Sequence, residues 1–477
     1  MNKTTKTNNE LITMVMYYSL FHKEIFDNKI TIINQIPKNA FGVFSTIRRA
    51  KKLLSYPKDI HGCIGYWEPS FTTLRNNVLY SNLLRVSYDS VWNDDRNTYF
   101  TPIEKEPQTT MELDFMLNPI YKINKETGII IELNTQFTNK EFGIIVQTKD
   151  KSHKATYLPN VFDNISWKNM VESIKNKAMI ASSTTNADDI ELFAYKIIQI
   201  KATYITLLTN ELFGYFSLYK FSRILLDNMK PGTKYPFFYA CKNHNTIQWN
   251  NDDDVRNISA LGDLYKYSTL YPDIVSKSER NTIFEKIIRI LQNIDNYSSQ
   301  SLSFLGQVLP SLPLINAEKI HKNSFCKKLL HDLPNAEDEF EKPEIIIGLN
   351  KCGCTTSVVD LTYDSRDSIF KINWTIQAIT SYGNKIPYEL HTILQNKLKN
   401  IVRNIKTVET NELAVAFECA CFIYHSNKTI IYAIFELLFE LEQRKNCNNS
   451  LYMFLTGYSR VDITFHIING LLKLHQH

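Results

Sequence analysis

The sequence predicts an α+β domain with an antiparallel sheet and helices, followed by an all-α domain. Two observations lead to this fold class. Apolar residues alternate with polar ones in the first part of the chain, and they recur at helical spacing in the remainder. A small, polar segment at residues 181–189 separates the two patterns, as a linker would. We therefore predict domains at residues 1–180 and 190–477.

Four short runs in the first part of the chain predict strands, and a fifth segment predicts a helix packed on them. Residues 42–47 are rich in β-prone residue types. Residues 111–117 alternate apolar with acidic side chains, which is the pattern of a strand with one solvent-exposed face. Residues 128–133 and 142–147 are further apolar runs that read as strands. Residues 71–86 carry apolar side chains at helical spacing, which predicts a helix over the sheet.

The second part of the chain reads as a succession of amphipathic helices. An apolar stripe from Ile283 to Ile294 predicts a core-facing helix, with Ser278 near its N-cap. No repeat consensus of fixed length stands out, which favours a closed α/α toroid over a solenoid. Similar stripes occur at residues 192–208, 212–226, 376–381, 390–405, 413–424, 430–441 and 463–474.

The composition excludes several classes of protein. Hydrophobic residues make up 44% of the 477 positions and aromatic residues 12%, so the chain is not mainly disordered. A formal net charge of +5 is too small to indicate a nucleic-acid partner. The longest apolar stretches contain charges and fall short of the roughly 18 residues that a membrane span needs. Eight scattered cysteines favour a reducing, cytoplasmic location.

Four motifs follow one another in order in the first domain. They are residues 42–47, the turn His61-Gly62-Cys63-Ile64-Gly65, Asp95-Arg96 with residues 100–103, and residues 155–161 with Trp167. Together they resemble the AMMECR domain family, named for the AMME-syndrome chromosomal region. The resemblance implies an α+β fold but no established reaction, since the family's molecular function is unsettled. One departure is that the family's Arg before Gly-Cys is His61 here.

A looser resemblance lies in the second domain. Residues 237–240, 250–251 and 255–265 are similar to a segment of α/α-toroid proteins related to glycosidases and sugar epimerases. Residues 383–390 suit a tight turn between helices of that architecture. The resemblance implies a toroid, and it makes Arg256 a candidate ligand-binding residue.

Cys63 is the first candidate for chemistry. Its flanking glycines let the backbone approach a ligand closely, and His61 could lower the thiol pKa or accept its proton. The alternative is that Cys63 is a buried packing residue. Asp95 and Arg96 are candidate ligand-binding residues, because a guanidinium can clamp a carboxylate or phosphate. The alternative for Arg96 is an internal ion pair with Asp94 or Asp89.

The sequence predicts neither a metal nor a cofactor. Cys352 and Cys354 have Cys-x-Cys rather than Cys-x2-Cys spacing, and so do Cys419 and Cys421, which lie in an apolar helix where residues two apart diverge. The histidines lack the spacing of a zinc protease.

These features predict a protein that binds a small molecule or a macromolecular partner in a cleft near His61, Cys63 and Arg96. The alternative is an enzyme, of which two versions remain open: Cys-dependent transfer or modification in the first domain, or a carbohydrate-directed activity in the second. A scaffold whose helical domain recruits partners is the third possibility.

Overall fold

The computed structural model divides the chain into two compact units, Met1–Leu207 and Leu208–His477. The residues that the structure describes are 3–21, 33–49, 60–96, 105–162, 165–180, 190–209, 214, 218–219, 223, 225–226, 238–242, 246–250, 254–272, 275–312, 316–336, 338–354, 361–444, 446–447, 450–451 and 459–475.

A six-stranded antiparallel sheet organises the first unit. Its strands are β1 (Ala40–Arg48), β2 (Ile60–Trp67), β3 (Thr110–Lys122), β6 (Gly143–Thr148), β7 (Lys154–Tyr157) and β8 (Ile190–Thr203). They lie in the order β2-β1-β3-β8-β6-β7, and each neighbouring pair is antiparallel. The dipeptide strands β4 (Ile129–Ile130) and β5 (Thr135–Gln136) form a separate pair.

Among the described residues of the first unit, three long helices accompany this sheet: α1 (Lys3–Phe21), α2 (Asn76–Trp92) and α3 (Trp167–Lys177). Helix α2 packs on β1, β2 and α1, and its buried stripe includes Leu79 and Leu83. Helix α3 packs on β6 and β7 and begins at an N-cap serine, Ser166. The α+β class predicted for this part of the chain is confirmed.

Helix α2 packs closely on one face of β2. A Cβ atom on Gly62 would lie 1.9 Å from the carbonyl oxygen of Ser90 in α2, so glycine permits this contact. Successive residues of a strand point to opposite faces. Cys63 therefore points to the face opposite α2.

The strand predictions are confirmed at residues 42–47, 111–117 and 142–147, which lie in β1, β3 and β6. Residues 128–133 are strand only at the two residues of β4, because the chain turns after Ile130. The helix predicted at residues 71–86 is found as α2, with a later start.

A helix at residues 192–208 is a wrong prediction, because most of this segment is the strand β8. The sequence of β8 is rich in isoleucine and aromatic residues, which pack well on a pleated surface. Leu192 and Ala194 are buried on one side of the strand. Pairing with β3 on one edge and β6 on the other overrides the helical spacing of the apolar residues.

The second unit is mostly helical, as predicted. Its long helices are α5 (Asp254–Leu270), α6 (Lys277–Gln292), α8 (Asn316–Asp332), α9 (Glu341–Cys352), α10 (Ile369–Ser381), α11 (Tyr388–Arg403), α12 (Thr410–Ile423), α13 (Ile431–Gln443) and α14 (Val461–His475). Short helices are α4 (Thr206–Thr209), which spans the division between the units, and α7 (Ser299–Ser303). Short strands are β9 (Phe238–Lys242), β10 (Thr246–Asn250), β11 (Asn446–Cys447), β12 (Ser450–Leu451) and β13 (Ser459–Arg460).

Five of the predicted helical stripes are found, in α10 to α14. The stripe from Ile283 to Ile294 lies mainly in α6, which is capped by Ser276 rather than Ser278 through a reciprocal capping box with Glu279. The turn predicted at residues 383–390 contains Gly383 in the left-handed conformation. Most of residues 212–226 lie outside the described residues. Within the described part of the chain, none of the helices combines the length and apolarity that crossing a bilayer requires.

Candidate functional site

One face of the first unit's sheet gathers the predicted cysteine with several polar side chains. Thr46 of β1 lies opposite Cys63 of β2, and Asp114 of β3 lies opposite Gln199 of β8. The strand register places these residues and Tyr195 on the same side of the sheet. We call this surface the thiol face.

The Cys63 thiol is held in an uncharged state. Thr46 Oγ1 donates a hydrogen bond to Cys63 Sγ at 3.2 Å, and the Cys63 amide donates to Asp94 Oδ2 at 2.9 Å. Burial of the thiol raises the pKa of Cys63 above its usual value, although Thr46 and the Arg96 charge act in the opposite direction. The thiol is therefore suited to donating a hydrogen bond rather than to attacking as a thiolate.

Arg96 makes the internal ion pair that the sequence left open as an alternative. Its Nε lies 2.7 Å from Asp94 Oδ1 and its Nη2 lies 2.5 Å from Asp94 Oδ2. Nη2 also donates to the Cys63 carbonyl at 3.1 Å. The pair fixes the loop after α2 against the backbone of β2 at Cys63, which is a strand position rather than a turn. Asp95 is exposed in the same loop.

His61 uses both ring nitrogens to tie β2 to its surroundings. Arg49 Nη2 donates to Nδ1 at 2.8 Å, and Nε2 donates to the Val91 carbonyl of α2 at 3.1 Å. Burial, followed by the adjacent Arg49 charge, lowers the pKa of His61 to about 4. The ring is thus neutral at physiological pH. The strand register shifts between Ile47 and Arg48, opposite this residue, so the pairing is irregular beside His61.

Asp114 lies on the thiol face and Lys177 of α3 reaches the edge strand β7 beside it, but the sequence does not single out either residue as functional. Lys177 Nζ donates to the Thr156 carbonyl at 2.8 Å, lies 4.5 Å from the centroid of the Tyr157 ring, and interacts electrostatically with Cys63. Burial raises the pKa of Asp114 to about 6. The alternation of residues 111–117 marked Asp114 as outward-facing, whereas no local pattern distinguishes Lys177 from the other lysines of α3.

Arg256 lies in the second unit, whereas the other predicted site residues lie in the first. It is in the first turns of α5, where its carbonyl accepts a hydrogen bond from Ser259 Oγ at 2.9 Å.

A second polar cluster, which the sequence did not predict, lies inside the helical unit around Glu418 of α12. The Glu418 side chain is fully buried. His466 Nδ1 donates to Oε2 at 2.6 Å and Asn373 Nδ2 to Oε2 at 2.9 Å, while Gln377 Nε2 donates to Oε1 at 3.1 Å. Asn469 Nδ2 also donates to Oε1. We call these five residues the Glu418 cluster.

A cavity adjoins the Glu418 cluster, and we call it the helix cavity. It leaves about 30 Å³ for the centres of water-sized molecules. Two carboxylic acids from different helices line it, with amides and aromatic rings between them. The lining includes Asp263, Phe304, Gln307, Glu344, Trp374, Gln377, Phe465 and Asn469.

Both acids of the helix cavity are held partly or mainly protonated near neutral pH. Burial raises the pKa of Asp263 to about 7, and burial raises the pKa of Glu344 to about 8. Gln307 Nε2 donates to Asp263 Oδ1 at 3.1 Å. Among the described residues, Glu344 Oε2 has no hydrogen-bond partner. Carboxylic acids with such pKa values can give and take protons at neutral pH.

Sequence signals for this second site exist but are faint. Glu418 is the single charged residue in an otherwise apolar run, and Asn373 with Gln377, like His466 with Asn469, is spaced to share one helix face. Only the packing of α10, α12 and α14 shows that these faces meet.

Comparisons with known proteins find similarity over the first part of the chain. The AMMECR1 family model matches residues 13–200. The uncharacterized protein PH0010 from Pyrococcus horikoshii is a similar solved structure, with 17% sequence identity, coverage of 42% of this chain and 92% of that chain, and a TM-score of 0.30. No curated protein matches the chain. An AMMECR1 domain is therefore present at residues 13–200, as the four sequence motifs indicated.

Proposed function

We propose that the AMMECR1 domain of this chain binds a small anionic ligand on the thiol face, with Lys177 and Cys63 as the contacting residues. One observation carries this proposal: Lys177 places an ammonium group beside a neutral thiol without a compensating acid. Its Nζ bonds to a carbonyl oxygen, and among the described residues no carboxylate contributes to its electrostatic environment. A cation in that setting attracts a carboxylate or phosphate.

The other predicted residues support the site rather than contact the ligand. Arg96 is occupied by Asp94, and His61 is occupied by Arg49 and Val91. The raised pKa of Cys63 disfavours the Cys-dependent enzyme, which would need a thiolate at neutral pH. Binding is therefore the better-supported activity of this domain.

Titration with inorganic phosphate and with malonate, followed by calorimetry and NMR, tests the anion proposal. We expect Lys177→Met to weaken binding of the preferred anion by about tenfold or more, a loss of about 1.4 kcal/mol. Lys168→Met removes an exposed lysine from the same helix and is the matched control, with affinity unchanged. Equal affinity of both variants, or no binding of either anion to the unaltered protein, would contradict the proposal.

A carbohydrate-directed activity of the second unit is the second candidate, and the side chains that line the helix cavity favour it, although the volume of the cavity does not. Two acids of raised pKa, side-chain amides and the Trp374 ring are groups that can exchange protons with hydroxyls and stack on a sugar. The cavity as it stands has room for about one or two water molecules. A sugar ring would require the lining helices to separate.

Saturation-transfer NMR with a panel of free hexoses tests this second candidate. We expect the unaltered protein to transfer saturation to a hexose. The Asp263→Asn and Trp374→Phe variants should lose this transfer. Tyr388→Ala, which removes an aromatic ring that is 87% exposed on α11, serves as control and should retain the signal. If no hexose receives saturation, or if all three variants behave alike, the candidate fails.

A further inference from the structure

Three cysteine sulfurs converge in the second unit, although they come from two separate helices. Cys326 lies in α8, Cys352 is the last residue of α9, and Cys354 follows two positions later. Cys352 Sγ lies 2.7 Å from Cys354 Sγ and 3.7 Å from Cys326 Sγ, and the structure joins Cys326 to Cys354 as a disulfide. All three sulfurs lie within 4.8 Å of one another. We call this group the cysteine triad.

The end of α9 explains how a Cys-x-Cys sequence can bring two sulfurs together. Gly353 between them has φ of 74°, a left-handed conformation that glycine adopts without a Cβ clash. The amide of Cys354 donates to the Leu349 carbonyl at 2.9 Å, which closes the helix end. The chain therefore folds back after Cys352, and both side chains face Cys326. In a continuous helix the two would diverge.

We propose that the cysteine triad, when reduced, is a binding site for one thiophilic divalent metal ion, with zinc as the metal that fits best. Three sulfur ligands with no competing hard oxygen ligand in the group select a soft or borderline ion. A water molecule would occupy the fourth coordination position of the tetrahedral site.

The distances suit this assignment. Zinc–sulfur bonds of about 2.3 Å at tetrahedral angles separate neighbouring sulfurs by about 3.8 Å. The Cys326 and Cys352 sulfurs already stand 3.7 Å apart. Once the disulfide is opened, only the Cys354 sulfur must move outward, and it lies at the end of a helix rather than within one. Rotation about its Cα–Cβ bond can supply that movement.

The local charges also suit a cation. The C-terminal end of α9 carries the negative end of the helix dipole, which favours a metal ion at this position. Three thiolates bound to one divalent ion give the metal site a net charge of −1. Lys322 Nζ lies 3.7 Å from the position that a Cβ would take on Gly353, where its positive charge offsets that excess. Cys352 is buried while Cys326 is partly exposed, which gives the ion a path of entry.

The triad can bind a metal ion only after its disulfide has been reduced. A phosphine donates two electrons to the Cys326–Cys354 disulfide and becomes a phosphine oxide with the oxygen of a water molecule, whose two hydrogens complete the two thiols. Alternatively, two molecules of a thiol reductant are oxidised to a disulfide and supply the two electrons and two protons. The three thiols then release three protons as the divalent ion binds three thiolates. The disulfide and the metal compete for the same sulfurs, so the oxidised chain cannot bind the ion in this way.

Metal titration of the full chain, reduced with a phosphine, tests the proposal. We expect one zinc ion per chain by elemental analysis, and cobalt substitution should produce sulfur-to-cobalt charge-transfer absorption. Cys326→Ser, Cys352→Ser and Cys354→Ser should each lower the zinc affinity by about tenfold or more. The matched control is Cys421→Ser, which removes a free cysteine of the same unit that lies in α12, outside the triad, and should leave stoichiometry and affinity unchanged.

Two results would overturn the proposal, and both can be read on the unaltered protein even if a serine variant fails to fold. The first is the absence of charge-transfer absorption when the reduced chain is given cobalt. The second is full alkylation of all three triad cysteines by iodoacetamide at an unchanged rate with excess zinc present, as shown by peptide mass spectrometry. Zinc retained by a folded triple-serine variant would also refute it.

Discussion

Replacing Glu418 with alanine is expected to destabilise the second unit by about 3–5 kcal/mol. The carboxylate accepts hydrogen bonds from Asn373, Gln377, His466 and Asn469, which lie on two other helices. Removing it leaves four buried donors without their acceptor and opens a cavity in the core. Chemical denaturation, followed by the helical signal in circular dichroism, measures the loss.

Two further variants make the Glu418 test specific. Glu418→Gln keeps the size of the side chain but loses its charge and turns one amide group toward a donor, so it should fall between the unaltered protein and Glu418→Ala. Glu389→Ala removes an exposed glutamate of α11 and should change stability by no more than about 0.5 kcal/mol. Similar stability of Glu418→Ala and Glu389→Ala would show that the Glu418 cluster does not hold these helices together.

Gly62→Ala is expected to destabilise the first unit by about 3 kcal/mol or more, because the added methyl group meets a backbone atom. The new Cβ would lie 1.9 Å from the Ser90 carbonyl oxygen, and that oxygen belongs to a helix that cannot rotate away as a side chain would. Helix α2 must shift away from β2, taking with it the Val91 carbonyl that orients His61. The unfolding midpoint in urea measures the effect.

Gly383→Ala is the matched control for Gly62→Ala. Gly383 has φ of 76°, and no atom lies within 4 Å of the added Cβ, so only the left-handed backbone is penalised, by about 1–2 kcal/mol. We expect the Gly62 substitution to cost more. Equal losses would mean that the packing of α2 on β2 adjusts freely, contrary to the geometry.

Much of the architecture could be predicted from sequence because it depends on local periodicity. The alternation at residues 111–117 and the stripes of α10 to α14 each occur within one element, so the sequence carries them directly. Strand β8 was mistaken for a helix because its identity depends on two partners distant in sequence. Closure of the second unit into a toroid stays a prediction.

The candidate sites could be predicted only in part, for the same reason. The glycines around Cys63 are visible as a motif, and the ion pair of Arg96 with Asp94 spans two residues. Lys177, by contrast, comes to the thiol face from the end of α3, and Cys326 reaches the pair at residues 352 and 354 across a helix interface. The spacing of residues within one segment carries no information about contacts between segments that are distant in sequence.

The position of β8 in the sheet has a consequence for the order in which the first unit can be completed. Strands β2, β1 and β3 form one group and β6 with β7 another, and β8 is the strand between the two groups although it comes last in the sequence. During synthesis, β8 can join the two groups of strands only after residue 203 has left the ribosome. A fragment that stops at residue 180 would expose two further strand edges, those of β3 and β6, which could pair with other chains instead.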